Sequence, residues 1–147
     1  MWLYRTSGDT DKPIVLYEYT PNRKPAYAQA FLKGFCGYLH ADGYQGYHNL
    51  PPDIVVVGCM AHARRKLTEA LDVVPKEQRE SCETGIGFAY MQRLYVIEES
   101  IRENTPEERY RQRQKQSKPV FEAMLVWAKT VKAPPKSSLG KSVYYLT

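Results

Sequence analysis

The sequence has 147 residues, of which 43% are hydrophobic and 25% are charged, and its formal net charge is +5 at pH 7. This composition is typical of one soluble globular domain and excludes a largely disordered chain. The three cysteines lie far apart, which argues against a disulfide framework and favours the cytosol. No signal peptide is visible and no apolar run approaches the ~20 residues of a membrane helix, so we expect no membrane association. The mild basic bias is compatible with nucleic acid.

The first half of the chain is predicted to alternate strands and helices. The expected strands cover residues 2–5, 14–19, 37–41 and 54–57, and the expected helices cover 26–35, 44–50 and 61–74. The first two strands should form a hairpin through the turn-forming residues 7–13. The run from Ile54 to Val57 is continuously apolar, which is typical of a strand buried on both faces. The order of elements indicates an α/β fold in which helices flank a sheet.

The second half is predicted to be helical. Helices are expected over residues 86–103, 105–132 and 138–145. Thr105 should cap the second of these helices, because Pro106 and Glu108 follow it at the positions typical of a helix start. Pro119 should break or kink that helix. Ser137 or Ser138 should cap the last one.

Asp42 stands where the third predicted strand ends, and Gly43 follows it directly. A carboxylate at the end of a strand can bind a divalent metal ion, since Mg²⁺ prefers oxygen ligands. Asp-Gly is also a common turn and helix-cap signal that needs no metal. Taken alone, these two residues leave both interpretations open.

A basic segment follows the fourth predicted strand and opens the next helix. Its first turns carry His62 and the three cations Arg64, Arg65 and Lys66. Amide groups at a helix N-terminus attract phosphate, and the three cations would add to that field. A second basic stretch carries five Lys or Arg and no acid from Arg109 to Lys118. Either stretch could instead be a solvated surface.

Four residues of the first half are of types that bind zinc: Cys36, His40, Cys59 and His62. Their spacing is irregular and runs from a helix end into a strand, unlike the compact pairs of most zinc sites. Small buried thiols are the simpler explanation of the cysteines. No Gly-rich phosphate loop, Ser-His-Asp pattern or catalytic Cys signature accompanies them.

Two segments of the first half resemble the transposases of the insertion sequence 66 family: YLHADGYQGY at residues 38–47 and VGCMAHARRK at residues 57–66. The second half resembles the same family in LYVIE at residues 94–98, PEER at 106–109, Arg111-Gln112, Trp127 and PKSSLG at 135–140. The resemblance covers nearly the whole chain, with the motifs in the order found in the family.

The resemblance implies a retroviral-integrase-like, ribonuclease-H-like core. It predicts a partial mixed α/β sheet with flanking helices over residues 1–75, followed by an α-helical insertion over residues 76–147. Such enzymes hold two divalent metal ions, Mg²⁺ or Mn²⁺, on an Asp-Asp-Glu triad and use them to cleave and join phosphodiesters. By motif match Asp42 is the second Asp of that triad, and therefore both a catalytic and a metal-binding residue. His62, Arg64, Arg65 and Lys66 would contact DNA near it.

The other two carboxylates of the triad belong to family segments that this sequence does not contain. We therefore expect these residues to be an internal piece of a transposase that does not cleave or join DNA alone. One of those family segments is a core strand that would precede residue 2, and its absence would leave a sheet edge open, which favours a homodimer or strand exchange. The alternative is a non-catalytic DNA-binding or dimerisation module left from a truncated transposase gene. In either case the expected partner is DNA, at transposon ends and target, in the nucleoid of a bacterial cytoplasm.

Overall fold

The computed structural model describes residues 1–6, 12–47 and 49–147. These residues form two compact units, Met1–Cys59 and Met60–Thr147. The helix that begins at Met60 buries its apolar residues among the later helices, whereas the sequence predicted a division after residue 75, which stays a prediction. The assignment of the two parts to a catalytic core and an insertion stays a prediction.

Strands and short helices build the first unit, and helices build the second. The first unit contains β1 (Trp2–Arg5), β2 (Val15–Glu18), α1 (Pro25–Phe31), β3 (Gly37–Ala41), a 3₁₀ turn (Gln45–Tyr47) and β4 (Ile54–Gly58). The second contains α2 (Met60–Asp72), a 3₁₀ turn (Lys76–Gln78), α3 (Glu83–Ser100), α4 (Pro106–Gln112), a π-helical segment (Arg113–Ser117), α5 (Lys118–Thr130) and α6 (Ser138–Leu146). The predicted α/β character of the first half and the helical character of the second are confirmed.

The strands pair as two separate sheets. β1 and β2 form the expected antiparallel hairpin, with Trp2 opposite Glu18; most of its predicted turn, residues 7–13, lies outside the described residues. β3 and β4 are parallel, with Gly37 opposite Ile54 and Ala41 opposite Gly58. The single mixed sheet expected from the sequence is not formed by the described strands, because no hydrogen-bonded ladder joins the two pairs. A ribonuclease-H-like core therefore stays a proposal.

Aromatic packing holds the hairpin on α1. The rings of Tyr4 and Phe31 stack with centroids 3.6 Å apart. Trp2 is buried, and its indole nitrogen donates a hydrogen bond to the Thr20 hydroxyl at 3.1 Å. α1 ends four residues earlier than predicted, and Gly34 beyond it has a φ of 80°, a left-handed value common after helix ends.

β4 is less buried than its sequence predicts. Val55 and Val56 are 49% and 40% exposed, although neighbouring strand residues face opposite sides of a sheet. The expectation that this strand is buried on both faces is therefore wrong for the described residues. Parallel sheets normally have both faces covered. The β3–β4 sheet, only two strands wide, leaves apolar surface open on each face.

The second unit has one apolar core. Leu67 on α2, Met91 on α3 and Met124 on α5 are fully buried at its centre. Ser142 on α6 is also buried, and its hydroxyl donates to the carbonyl of Lys66 at 2.9 Å, which ties α6 to α2. Among the described residues, no helix is both long and apolar enough to cross a membrane.

The predicted helix signals of the second half are largely confirmed. The Thr105 hydroxyl accepts a hydrogen bond from the Glu108 amide, and the Ser137 hydroxyl accepts one from the Gly140 amide. Pro119 does not break its helix, which runs without interruption from Pro106 to Thr130. Proline has no N–H and its ring crowds the carbonyl four residues earlier. The π-helical segment directly upstream, Arg113–Ser117, widens the helix where that crowding occurs.

Candidate functional site

Asp42 lies at the carboxyl end of the parallel β3–β4 pair. The amide of Cys59 donates to the carbonyl of Ala41 at 2.9 Å, so the ladder extends to the last residue before Asp42. Asp42 itself is exposed, and Gly43 turns the chain with a φ of 77°. In open α/β sheets, ligands bind outside the carboxyl ends of parallel strands. The location therefore suits a functional carboxylate.

The Asp42 carboxylate also stabilises the turn that follows it. Its Oδ1 accepts a hydrogen bond from the Tyr44 amide at 3.1 Å, which is an Asx turn. Both interpretations of this residue thus have a structural basis. The turn uses one oxygen, and a carboxylate has further acceptor capacity on the other.

An aromatic cluster adjoins Asp42. The rings of Trp2, Tyr44 and Tyr47 meet edge to face, with centroids 5.9 to 6.1 Å apart. The guanidinium of Arg23 lies over two of them, 4.7 Å from the Tyr44 centroid and 5.7 Å from that of Trp2. The Tyr44 hydroxyl donates a hydrogen bond to the Arg23 carbonyl. The cluster therefore joins β1, the loop before α1 and the segment after β3.

The electrostatics of Tyr47 reflect its two charged neighbours. Burial raises the pKa of the Tyr47 hydroxyl, and the Asp42 carboxylate raises it further. The Arg23 guanidinium acts in the opposite direction on the same pKa. Both charges are therefore close enough to Tyr47 to influence its hydroxyl.

The described residues do not assemble a metal site on their own. Nowhere in ranges 1–6, 12–47 and 49–147 do three or more His, Cys, Asp or Glu side chains come close enough to hold one ion. The set Cys36, His40, Cys59 and His62 is not brought together as a zinc site. Asp42 is likewise without the companion carboxylates that a two-magnesium centre requires, so these residues by themselves do not fit such a centre.

The predicted DNA-contact residues lie on the first turns of α2, in the second unit. Arg64 donates to the side chain of Gln92 at 2.9 Å, and its guanidinium lies 4.6 Å from the Tyr95 ring centroid. Both partners are on α3. Arg64 is therefore engaged in packing two helices of this unit together.

The neighbours of Arg64 differ in how they are held. Arg65 is exposed and lies 3.7 Å from Glu69 one turn later, a weak surface ion pair. The Lys66 ammonium lies 5.5 Å from the ring centroid of Tyr145 on α6. The Nδ1 atom of His62 is buried, and no hydrogen-bond partner for it occurs in the described part of the chain. Their contacts with DNA stay predictions.

Carboxylates partly neutralise the second basic stretch. Arg113 donates two hydrogen bonds to Glu98, from Nε at 2.8 Å and from Nη2 at 2.6 Å. Arg111 pairs with Glu108 on the same helix. Lys115 and Lys118 are exposed. The positive field of this stretch is therefore weaker than a count of its Lys and Arg residues indicates.

Sequence reasoning did not find the cluster around Arg23. Arg23 precedes Asp42 by 19 positions, and Trp2 lies still further away. The unusual number of tyrosines, 12 against four Phe, was the one available signal, because Tyr suits half-buried surfaces with a polar edge. No local pattern connected these residues to each other.

Comparison with known proteins identifies the family. The family model described as "Transposase IS66 family" matches residues 1–147. The chain belongs to this transposase family, as its motifs predicted. No solved structure matches it.

The curated relatives are uncharacterised proteins of Sinorhizobium fredii (strain NBRC 101917 / NGR234). One, y4hP, is 32% identical over 145 residues, a match that covers 86% of this chain and 26% of the relative. Another, y4qI, is 27% identical over 161 residues and covers 99% of this chain and 29% of the relative. The chain thus spans less than a third of the length of these relatives.

Proposed function

We propose that this chain is part of the catalytic region of a DNA transposase. The intact protein would perform metal-dependent phosphodiester cleavage and strand transfer at transposon ends. Asp42 would be one of its catalytic, metal-binding carboxylates. The observation that carries the proposal is the location of Asp42, exposed at the carboxyl end of the β3–β4 pair with one oxygen committed to the turn.

The proposed cofactor of the intact protein is Mg²⁺ or Mn²⁺. Because Asp42 has no companion ligands in the described residues, the other two carboxylates of a ribonuclease-H-like triad would come from elsewhere in a longer polypeptide. The curated relatives extend far beyond the matched segment. We therefore expect the 147 residues alone to show no Mg²⁺-dependent strand transfer.

The test uses a polypeptide that contains this segment and supplies the remaining carboxylates. Asp42→Asn should abolish Mg²⁺-dependent joining of a labelled transposon end to a plasmid. Asp53→Asn is the matched control, because Asp53 is an exposed acid of the same unit immediately before β4. Joining activity that survives Asp42→Asn would remove the catalytic assignment.

A non-catalytic role as a DNA-binding module is the second candidate. It is favoured by the basic first turns of α2, where His62, Arg64, Arg65 and Lys66 follow one another. Duplex binding by the purified chain should weaken with salt, since each phosphate contact contributes about −0.9 to the slope of log K against log salt concentration. A salt-independent affinity would exclude phosphate contacts by these side chains.

We also propose that the chain forms a homodimer through the β3–β4 sheet. The sheet has only two described strands, so each strand has an outer edge without a strand partner among the described residues, and such edges pair readily with other chains. Val55 and Val56 are also exposed on its faces. Light scattering at tens of micromolar should give the mass of a dimer, and Val56→Lys should shift it towards the monomer. A monomeric mass for the unaltered chain would contradict the dimer.

The intact protein would act on DNA in the bacterial nucleoid.

A further inference from the structure

Arg23 is a fixed cation. Its guanidinium is held by cation–π contacts to Tyr44 at 4.7 Å and Trp2 at 5.7 Å. Its carbonyl accepts a hydrogen bond from the hydroxyl of the same Tyr44. Trp2 is anchored in turn by its hydrogen bond to Thr20. Both ends of the arginine are therefore tied to one rigid aromatic surface.

Arg23 forms no ion pair within the described residues. Ion pairs occur at Arg65, Arg79, Arg102, Arg111 and Arg113, but no carboxylate oxygen of the described chain lies within 4.0 Å of the Arg23 guanidinium. A guanidinium stacked on a ring uses its face and keeps its N–H edges for other partners. Arg23 is also exposed. Those edges suit an anion with two oxygens side by side, such as a phosphodiester.

Arg23 and Asp42 are linked through the same tyrosine. Asp42 Oδ1 accepts the amide proton of Tyr44, and the ring of Tyr44 supports Arg23. Their opposite effects on the pKa of Tyr47 agree with this closeness. A fixed cation and the exposed carboxylate that follows β3 thus both contact Tyr44, an arrangement that would hold a charged backbone near a carboxylate site.

We propose that Arg23 contacts a DNA backbone phosphate and positions the strand at the Asp42 edge of the first unit. This inference rests on the proposed function, because DNA is taken as the ligand. Arg23 is assigned as a positioning residue. The aromatic surface of Trp2 and Tyr44 fixes its guanidinium before DNA arrives, so little side-chain freedom is lost on binding.

The first experiment measures duplex affinity of the purified chain over a series of salt concentrations without divalent metal. Arg23→Gln should reduce the magnitude of the log K against log salt slope by about 0.9, the loss of one phosphate contact. Lys33→Gln is the matched control, since Lys33 is an exposed cation just beyond α1 in the same unit. It should leave the slope unchanged. An unchanged slope in Arg23→Gln, an equal change in Lys33→Gln, or no duplex binding by the unaltered chain would each overturn the proposal.

A second measurement avoids any variant that fails to fold. The unaltered chain is treated with phenylglyoxal, which modifies arginine, with and without duplex DNA, and the modified sites are mapped by mass spectrometry. DNA should protect Arg23 several-fold more than it protects Arg5 on β1. Equal modification of Arg23 in both samples would overturn the proposal. The proposed catalytic function is judged separately by Asp42→Asn in strand transfer, so either idea can fail while the other stands.

Discussion

Gly87 lies directly beneath the indole ring of Trp127. A Cβ atom at residue 87 would approach Cη2 of Trp127 to 2.1 Å and Cζ2 to 2.6 Å. The indole nitrogen donates to Glu83 at 2.9 Å, so the ring is fixed at its other end as well. α3 and α5 can therefore pack this closely only while residue 87 has no side chain.

Gly87→Ala should destabilise the second unit. The added methyl must displace a buried, hydrogen-bonded ring, and overpacking of this kind costs about 1–3 kcal/mol of unfolding free energy. Thermal and urea unfolding, followed by circular dichroism at 222 nm, measure the loss. Gly58→Ala is the control, because a Cβ atom there meets no atom within 4 Å. Equal stability of the two variants would contradict the packing described for Trp127.

The ion pair of Glu98 with Arg113 should make stability depend on acid pH. The hydrogen bonds from Arg113 hold the pKa of Glu98 below its ordinary value of 4.5, with a further contribution from the charge of Arg109. A depressed pKa in the folded state means that the pair stabilises the fold above pH 4.5 and that this stabilisation is lost as pH falls through the folded pKa. Urea unfolding of the unaltered chain should therefore weaken more steeply below pH 4.5 than unfolding of Glu98→Gln.

The size of that effect is small, because both side chains are 42% exposed and water screens the pair. A double-mutant cycle with Glu98→Gln and Arg113→Gln should give a coupling of about 0.5–1 kcal/mol at neutral pH. It should shrink towards zero in acid. Parallel stability curves for the unaltered chain and Glu98→Gln below pH 4.5 would show that the pair does not stabilise the fold.

Two variants of Asp42 distinguish its hydrogen bond in the turn from the role of its negative charge. Asp42→Asn keeps a side-chain oxygen that can accept from the Tyr44 amide, so the unfolding free energy of the chain should change by less than about 0.5 kcal/mol. Asp42→Ala removes that acceptor and should cost about 1 kcal/mol. Urea unfolding of the two purified variants makes the comparison. A large loss in Asp42→Asn would mean that the negative charge itself stabilises the first unit.

Local sequence signals predicted the elements well where short-range chemistry decides them. The strand that ends at Ala41, the cap at Thr105 and the cap at Ser137 all depend on residues within a few positions of one another. The sequence predicted that Pro119 would disturb the helix near this point, but it predicted a break or a kink. Whether a helix breaks, kinks or widens depends on the packing of the whole helix, and here it widens.

Contacts between residues far apart in the sequence could not be predicted from such local signals. The apolar run Ile54–Val57 predicted burial, but burial depends on what covers a strand, and the described residues leave Val55 and Val56 open. Asp42 could be located at a strand end, whereas the contact of both Asp42 and Arg23 with Tyr44 arises only when distant segments fold together. A sequence pattern can identify a charged residue, but the partners of that charge are set by tertiary packing.

Variants of Arg64 and Arg65 would show whether the basic residues of α2 bind DNA or stabilise the fold. Arg64 contacts Gln92 and Tyr95 on α3, while Arg65 has one exposed partner on its own helix. Arg64→Ala should therefore lower the unfolding free energy by about 1 kcal/mol, through loss of a cation–π contact and a hydrogen bond. Arg65→Ala should change it by less than about 0.5 kcal/mol. Urea unfolding gives both values.

The affinity of the same two variants for duplex DNA, measured at fixed salt concentration, completes the comparison. If the basic segment binds DNA through its exposed face, Arg65→Ala should weaken binding without loss of stability. Weaker binding by Arg64→Ala without loss of stability would mean that Arg64 is the DNA contact and that its contacts with α3 contribute little to stability.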